Sequence, residues 1–266
     1  AARAQPRAVG TLALATKARD GQSVIARFRT SGSMKTVFPP GGPVLEAITI
    51  NTSGGLTGGD RFEIGAEVGA GSVLTITTQA AERAYRSISG TARVRSRVTV
   101  GPGARLNWLP QELILFEGCS LDRRLDVALD PQAELLLVEP VIFGRHAMHE
   151  RLDSVAFADR IRVDRGGEPL YRDAISIRGD AGAAMARRAI GAGAGAMACV
   201  LFVSPKAEGM QAPIRNLLGP SGGASLIRPD TLALRIVAED GFELRRSLVP
   251  VLEVLGGARL PKSWSL

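Results

Sequence analysis

Carboxylates are the residues here whose spacing could do chemistry. Glu82, Glu112 and Glu139 recur at intervals of roughly thirty residues, a period typical of stacked architectures, and each follows an apolar run: Val73 to Ile76, Leu106 to Trp108, and Leu135 to Leu137. Asp60 and Glu168 stand beside the Gly58-Gly59 and Gly166-Gly167 turns. If the repeats stack, equivalent positions lie near one another, and these acids gather along one end of the fold. Oxygen donors hold a transition metal weakly, which suits a route for an ion in transit better than a store. Asp60, Glu82, Glu139 and Glu168 are therefore the candidate metal-contacting residues. The competing reading is an acidic rim, or salt bridges to nearby arginines.

Stronger metal donors are scarce. The two histidines, His146 and His149, fall in one segment, and the two cysteines, Cys119 and Cys199, form no CxxC pair. His146 and His149 flank strand-like sequence, where positions three apart face opposite sides and cannot chelate together. Nothing points to a tightly bound cofactor. Asn51-Thr-Ser-Gly-Gly-Leu-Thr-Gly-Gly-Asp60 is either a loop that presents Asp60 or a bulged hairpin turn. It lacks the Gly-Lys-Ser/Thr ending of a phosphate loop. Gly191-Ala-Gly-Ala-Gly195 leads into a strand-like run, so no helix N-terminus follows to hold a dinucleotide. With both histidines together and no G-x-S-x-G elbow, a triad hydrolase is also disfavoured.

The elements that would position these residues are mainly strands. Arg93 to Val100 and Leu125 to Leu129 alternate with period two, as do Arg160 to Asp164. Turn signals follow at Gly69-Ala-Gly71, Gly101-Pro-Gly103 and Asp130-Pro131, and a second strand comes after each. The unit is strand, tight turn, strand, repeated about three times: a mainly β, solenoid-like stack in one domain spanning residues 1–266. Glu134 to Glu139 encloses a continuous apolar run, as in a strand covered on both faces. Ala181 to Ala198 reads as a loose loop. Two helices are expected late in the chain, near Ala207 to Leu218 and Leu244 to Leu255, with Pro250 accepted only near a first turn. Leu244, Leu248 and Leu252, with Trp264 in the tail, are candidates for docking a partner; the alternative is packing on the sheet.

Charge and composition narrow the partners. The net charge is +7, and the positive residues are spread along the chain. An acidic protein partner fits this better than nucleic acid, because aromatics are only 5% of residues and stacking platforms would be few. Arg93, Arg95 and Arg97 share one strand face with Thr99, a pattern expected of a solvated outer surface. No apolar run reaches the ~20 residues of a membrane helix. Val9 to Ala15 reads as a first strand rather than a signal core, and the sparse cysteines suit a cytoplasmic setting.

Several stretches in order resemble the urease accessory protein D family, also called UreH in some organisms. They are NTSGGLTGGDRF (51–62), TTQAAERAYRS (77–87), LNWLPQELILFEG (106–118), LLVEPVIFGR (136–145) and the closing Arg259-Leu-Pro-Lys-Ser-Trp264; residues 151–170 match more loosely. The resemblance implies a mostly β fold with two helices and a non-catalytic role. It implies binding to urease apoprotein, to a helical UreF-type accessory protein and to a nickel-carrying UreG-type GTPase, with nickel passing through or along this protein. Asp60 matches the family motif directly, Glu139 and Glu168 fall at acidic positions, and Glu82 at a variable polar one. The His146 and His149 pair is not part of the pattern. The rival readings are a carbohydrate-active β-solenoid hydrolase using paired carboxylates and a basic nucleic-acid-binding module.

Overall fold

Alternating apolar residues become strands wherever the sequence marks them, and the computed structural model describes residues 6–145, 148, 150–257 and 259–265. His146 and His149 lie outside the described residues. The chain opens with β1 (Val9–Arg19), β2 (Gln22–Gly32), β3 (Met34–Val37) and β4 (Leu45–Asn51). The repeats follow as β5 (Arg61–Val68), β6 (Val73–Thr78), β7 (Glu82–Ala84), β8 (Ala92–Val100), β9 (Arg105–Leu109), β10 (Leu113–Leu115), β11 (Ser120–Leu129) and β12 (Glu134–Phe143). Then come β13 (Val155–Arg165), β14 (Glu168–Gly179), α1 (Ala181–Ala186), β15 (Ala196–Val203) and α2 (Ala207–Leu218). The last elements are β16 (Gly222–Arg228), β17 (Thr231–Ala238) and α3 (Gly241–Gly256).

These strands form two facing sheets. The first has seven strands in the order β14-β13-β11-β8-β5-β1-β2. The second has ten, running β16-β17-β15-β12-β9-β6-β4-β3, with β10 and β7 joined at the side of β12. Each repeat crosses from the first sheet to the second through the tight turn expected from sequence, so β5, β8, β11 and β13 pair in parallel, as do β4, β6, β9 and β12. The turns stack as well: Gly71 donates its N–H to the Pro102 carbonyl at 3.0 Å, and Gly101 to that of Val68 at 2.8 Å. Gly71 and Gly103 hold positive φ of 68° and 60°, a conformation that side chains disfavour. Antiparallel strands close the stack at both ends, β2 and β14 on the first sheet and β15, β17 and β16 on the second.

Leu125, Val127, Leu135, Leu137, Leu106 and Phe157 fill the space between the sheets. β12 is buried on both faces, as its unbroken apolar run implied: Leu135 and Leu137 point between the sheets, while Leu136 and Val138 point under the helices. There α3 lays Leu244, Leu248, Val251, Leu252 and Leu255 against the outer side of the second sheet. This corrects the docking expectation. Leu244, Leu248 and Leu252 are fully buried and Trp264 is 4% exposed, so the apolar face meant for a partner is already covered by the sheet.

Arg245 fastens this layer. Its Nε donates to Glu112 at 2.6 Å and its Nη2 to Gln111 at 2.8 Å, while Nη1 donates to the Trp264 carbonyl at 3.0 Å. The Trp264 ring lies 5.3 Å from the guanidinium carbon, and its indole N–H donates to the Leu109 carbonyl at 3.0 Å. One side chain thereby ties α3, the C-terminal segment and the β9–β10 link together.

Two helical expectations need revision. Residues 181–186, read as loop, form α1, because the Asp180 carboxylate caps it by accepting from the Ala183 N–H at 2.7 Å. α3 begins at Gly241, three residues earlier than expected, capped by Asp240 through the Glu243 N–H at 2.9 Å. Pro250 therefore sits mid-helix. Its ring is exposed, so the carbonyl one turn back that loses its partner faces water and the helix persists.

Replacing Arg245 with methionine should destabilise the fold by about 2–4 kcal/mol, since Glu112 is left buried and unpaired. Adding Glu112→Gln should recover most of that loss. Urea denaturation midpoints of the single and double variants provide the measurement.

Candidate functional site

The strand period of two decides which acids meet. Leu113 of β10 is the register partner of both Glu82 in β7 and Val141 in β12, and Leu113 and Val141 point between the sheets. Glu82 and Glu139 share that parity, whereas Glu112, one residue away from Leu113, points to the opposite side and is held by Arg245. Equivalent positions in the repeat thus do stack, but only two of the three acids face inward. Glu168 does not join them. It is exposed at the start of β14, and the neighbouring Gly166 lies within 3.4 Å (measured from where a Cβ would stand) of Pro131 in a tight turn. That is the opposite end of the strands from Asp60, which precedes β5.

A cavity of about 280 Å³ lies between the sheets where Glu82 and Glu139 point. Asn51, Gln79 and Glu82 line its outer part, and Trp108, Arg123 and Glu139 its inner part. Glu82 is half-buried; it accepts from Asn51 Nδ2 at 3.1 Å and from the Arg83 N–H at 3.0 Å. Burial raises its pKa, and these two hydrogen bonds only partly oppose that.

The inner end holds an unbalanced charge. Arg123 of β11 and Asp159 of β13 are direct cross-strand neighbours, joined by two hydrogen bonds of 3.0 and 2.6 Å. Arg123 Nη1 also lies 2.6 Å from Glu139 Oε2, and the Trp108 indole donates to Glu139 Oε1 at 2.8 Å. Two buried carboxylates thus share one guanidinium. Oε2 is buried and takes the charge contact with Arg123 without an aligned hydrogen bond. Burial pushes the Glu139 pKa up to about 7, with nearby Asp159 adding to the rise and Arg123 opposing it.

Asp60 plays another part. It is 3% exposed; Oδ1 accepts from the Ala8 N–H and Oδ2 from the Thr57 N–H, each at 2.8 Å. Its own carbonyl accepts from the Arg93 N–H at 2.8 Å. Asp60 therefore pins the glycine loop to the start of β1 and to the next coil. The loop is neither a hairpin nor an open flap but the crossing from β4 to β5. A Cβ on Gly58 would come within 1.8 Å of Ser87 Oγ, and one on Gly55 within 2.3 Å of the Tyr85 ring, so glycine is needed for close approach to the following coil.

Arg123, Asp159 and Trp108 were not singled out by the sequence reading. A signal existed: Arg123 lies between Leu121 and Leu125, and Asp159 between Phe157 and Ile161, so both are charged residues at apolar phase. Among the described residues no three of His, Cys, Asp and Glu gather closely enough to hold a metal ion. Burial also pushes the Cys119 and Cys199 thiols up to about 12, so neither offers a thiolate at neutral pH.

Because folding raises the Glu139 pKa, the folded state binds more protons than the unfolded chain between about 4.5 and about 7. Its contribution to stability should therefore be most favourable below that window, decline as pH rises through it, and stay level above. Glu139→Gln should remove this part of the slope, as read from thermal midpoints of both proteins at pH 5 and pH 8.

Comparison with known proteins places this arrangement in a family. The family model described as UreD urease accessory protein matches residues 8–265. A urease accessory protein UreD of Roseobacter denitrificans is 48% identical over 98% of this chain and 96% of its own length. That of Ruegeria pomeroyi is 46% identical over 95% of this chain and 99% of its own, and that of Agrobacterium fabrum 43% over 98% and 93%. With the match extending from the first strand to the C-terminal tryptophan, the chain belongs to the UreD family of urease accessory proteins.

Proposed function

We propose that this protein is a non-catalytic scaffold of urease maturation that binds urease apoprotein and conveys nickel towards its active site. It acts as one domain, in the cytoplasm, alongside a helical UreF-type protein and a UreG-type GTPase, and holds nickel only in transit. The observation that carries this reading is the inner end of the cavity, where Glu139 and Asp159 share Arg123. When both acids are ionised, the cluster has one negative charge more than its guanidinium can neutralise. A proton answers that excess at low pH and a divalent cation can answer it at higher pH.

The donors suit passage rather than storage. Glu82 and Glu139 supply oxygen ligands at separate points along one cavity, so an ion is held weakly at each and can leave. Asp60 contributes by fixing the loop beside Glu82 rather than by meeting the ion, since both of its oxygens already accept backbone hydrogen bonds.

Glu139→Gln and Glu82→Gln should each lower urease activation several-fold in a reconstituted mixture while the complex with apo-urease still elutes as one peak. Normal activation by both variants would remove these carboxylates from the path. If the wild-type chain forms no complex with urease or the accessory proteins, the scaffold reading is wrong. Weak nickel binding by the isolated chain should strengthen as pH rises through about 7 and release protons, measured by calorimetry in buffers of different ionisation heat.

A further inference from the structure

On the outer face of the first sheet arginines outnumber carboxylates, and several of them stand directly opposite one another. In register, Arg61 on β5 faces Arg93 on β8, and Arg95 on β8 faces Arg124 on β11, which in turn faces Arg160 on β13. Arg162 on β13 faces Arg172 on β14. Arg93 and Arg97 also face Asp122 and Asp126, and Arg162 faces Asp126, but the like-charge pairs still cost stability that solubility alone does not require. Among the carboxylates between them, Asp122 is engaged with Arg95 and Arg160, Asp126 with Arg124 and Asp164 with Arg172, while Glu63 stands opposite Arg95 in register. Arg93, Arg97 and Arg162 are exposed and, among the described residues, make no salt bridge.

This face also has relief. Gly65 and Ala13 are paired neighbours on β5 and β1, and with Thr99 and Ala128 they floor a trough of about 450 Å³ whose border mixes Arg27 and Arg97 with Glu67, Asp126 and Asp164. At strand spacings of about 4.8 Å and rises of about 3.3 Å per residue, the seven strands present a surface roughly 29 Å by 20 Å. That approaches the ~800 Å² per partner of a standard protein interface.

We propose that the outer face of the first sheet, centred on Arg93, Arg97 and Arg162, is a docking surface for an acidic face of a protein partner. A second copy of this chain is disfavoured, because each copy carries a net charge of +7. A nucleic acid is a poorer fit, because Asp122 and Asp126 interrupt the arginines and would repel a continuous phosphate row. A protein with its own mixed pattern can match them and gain register.

The test rests on the urease reading for its probes: apo-urease, the helical accessory protein and the GTPase, each titrated against the full chain at low and moderate salt. The triple variant R93E/R97E/R162E should bind one of these partners about tenfold or more weakly, with most of the salt dependence gone. It should retain its circular dichroism and stay folded at the assay temperature, with a modest fall in thermal midpoint because the new glutamates face Asp122 and Asp126 in register. Reversal of Lys206, Arg228 and Arg246, exposed positions on the second sheet and its helices, should leave binding unchanged. Wild-type binding that the sheet-face triple does not weaken overturns the surface while leaving the urease reading intact. Absence of wild-type binding to every partner overturns both. Tight, reversal-sensitive binding to a random DNA duplex, without protein binding, would assign the face to nucleic acid.

Discussion

In-register parallel stacking is the constraint on which the rest depends. Successive coils can hydrogen-bond along their whole length only if each enters its strand in the same phase as the one before. β5, β8, β11 and β13 keep that phase without a shift, and so do β4, β6, β9 and β12. Every residue's side of the sheet is then decided by counting. Leu121, Leu125 and Val127 face inward because of this phase, and so must Arg123, whatever burial of a guanidinium costs. Asp159, its cross-strand neighbour, offsets that cost locally. Glu139, entering from the opposite sheet, makes the negative charge exceed the positive.

The same counting explains what the sequence disclosed. Tight turns at Gly69 to Gly71, Gly101 to Gly103 and Asp130-Pro131, and the alternating runs before them, were legible because their signals are local. The doubly covered β12 was legible for the same reason. β1 was legible over Val9 to Ala15, but its partner β2 and the closing strands β16 and β17 were not read, although Asp20-Gly21 is a local hairpin signal. α1 was hidden by its alanines and glycines, which suit a loop as well as a helix; only the Asp180 cap distinguishes it. Pro250 misled because proline cost was weighed without knowing that its face of the helix is exposed.

For the site, residue type was a better guide than repeat position alone. Glu82, Glu112 and Glu139 look equivalent in the repeat, yet a one-residue difference in phase sends Glu112 under α3 and the others into the cavity. Glu168 shares a Gly-Gly context with Asp60, but the context marks a turn at either end of a strand, and the two lie at opposite ends. Asp60 was identified by its motif, although the motif concealed its work as a backbone clamp. The resemblance to a family could point to these positions. It could not distinguish a carboxylate that faces an ion from one that holds the wall in place.

Rigidity and weak binding are coupled in this design. A metal store would need several soft donors converging on one point, and the buried thiols here are held protonated by their surroundings. The inter-sheet space offers instead two separate carboxylates, Glu82 and Glu139, the second already in contact with Arg123. Trp108 donates to Oε1 of Glu139 and Arg123 contacts Oε2, so both oxygens already have partners. On the proposed reading, an ion beside these carboxylates would keep most of its water and be attracted without being captured, the energetic requirement of a passage.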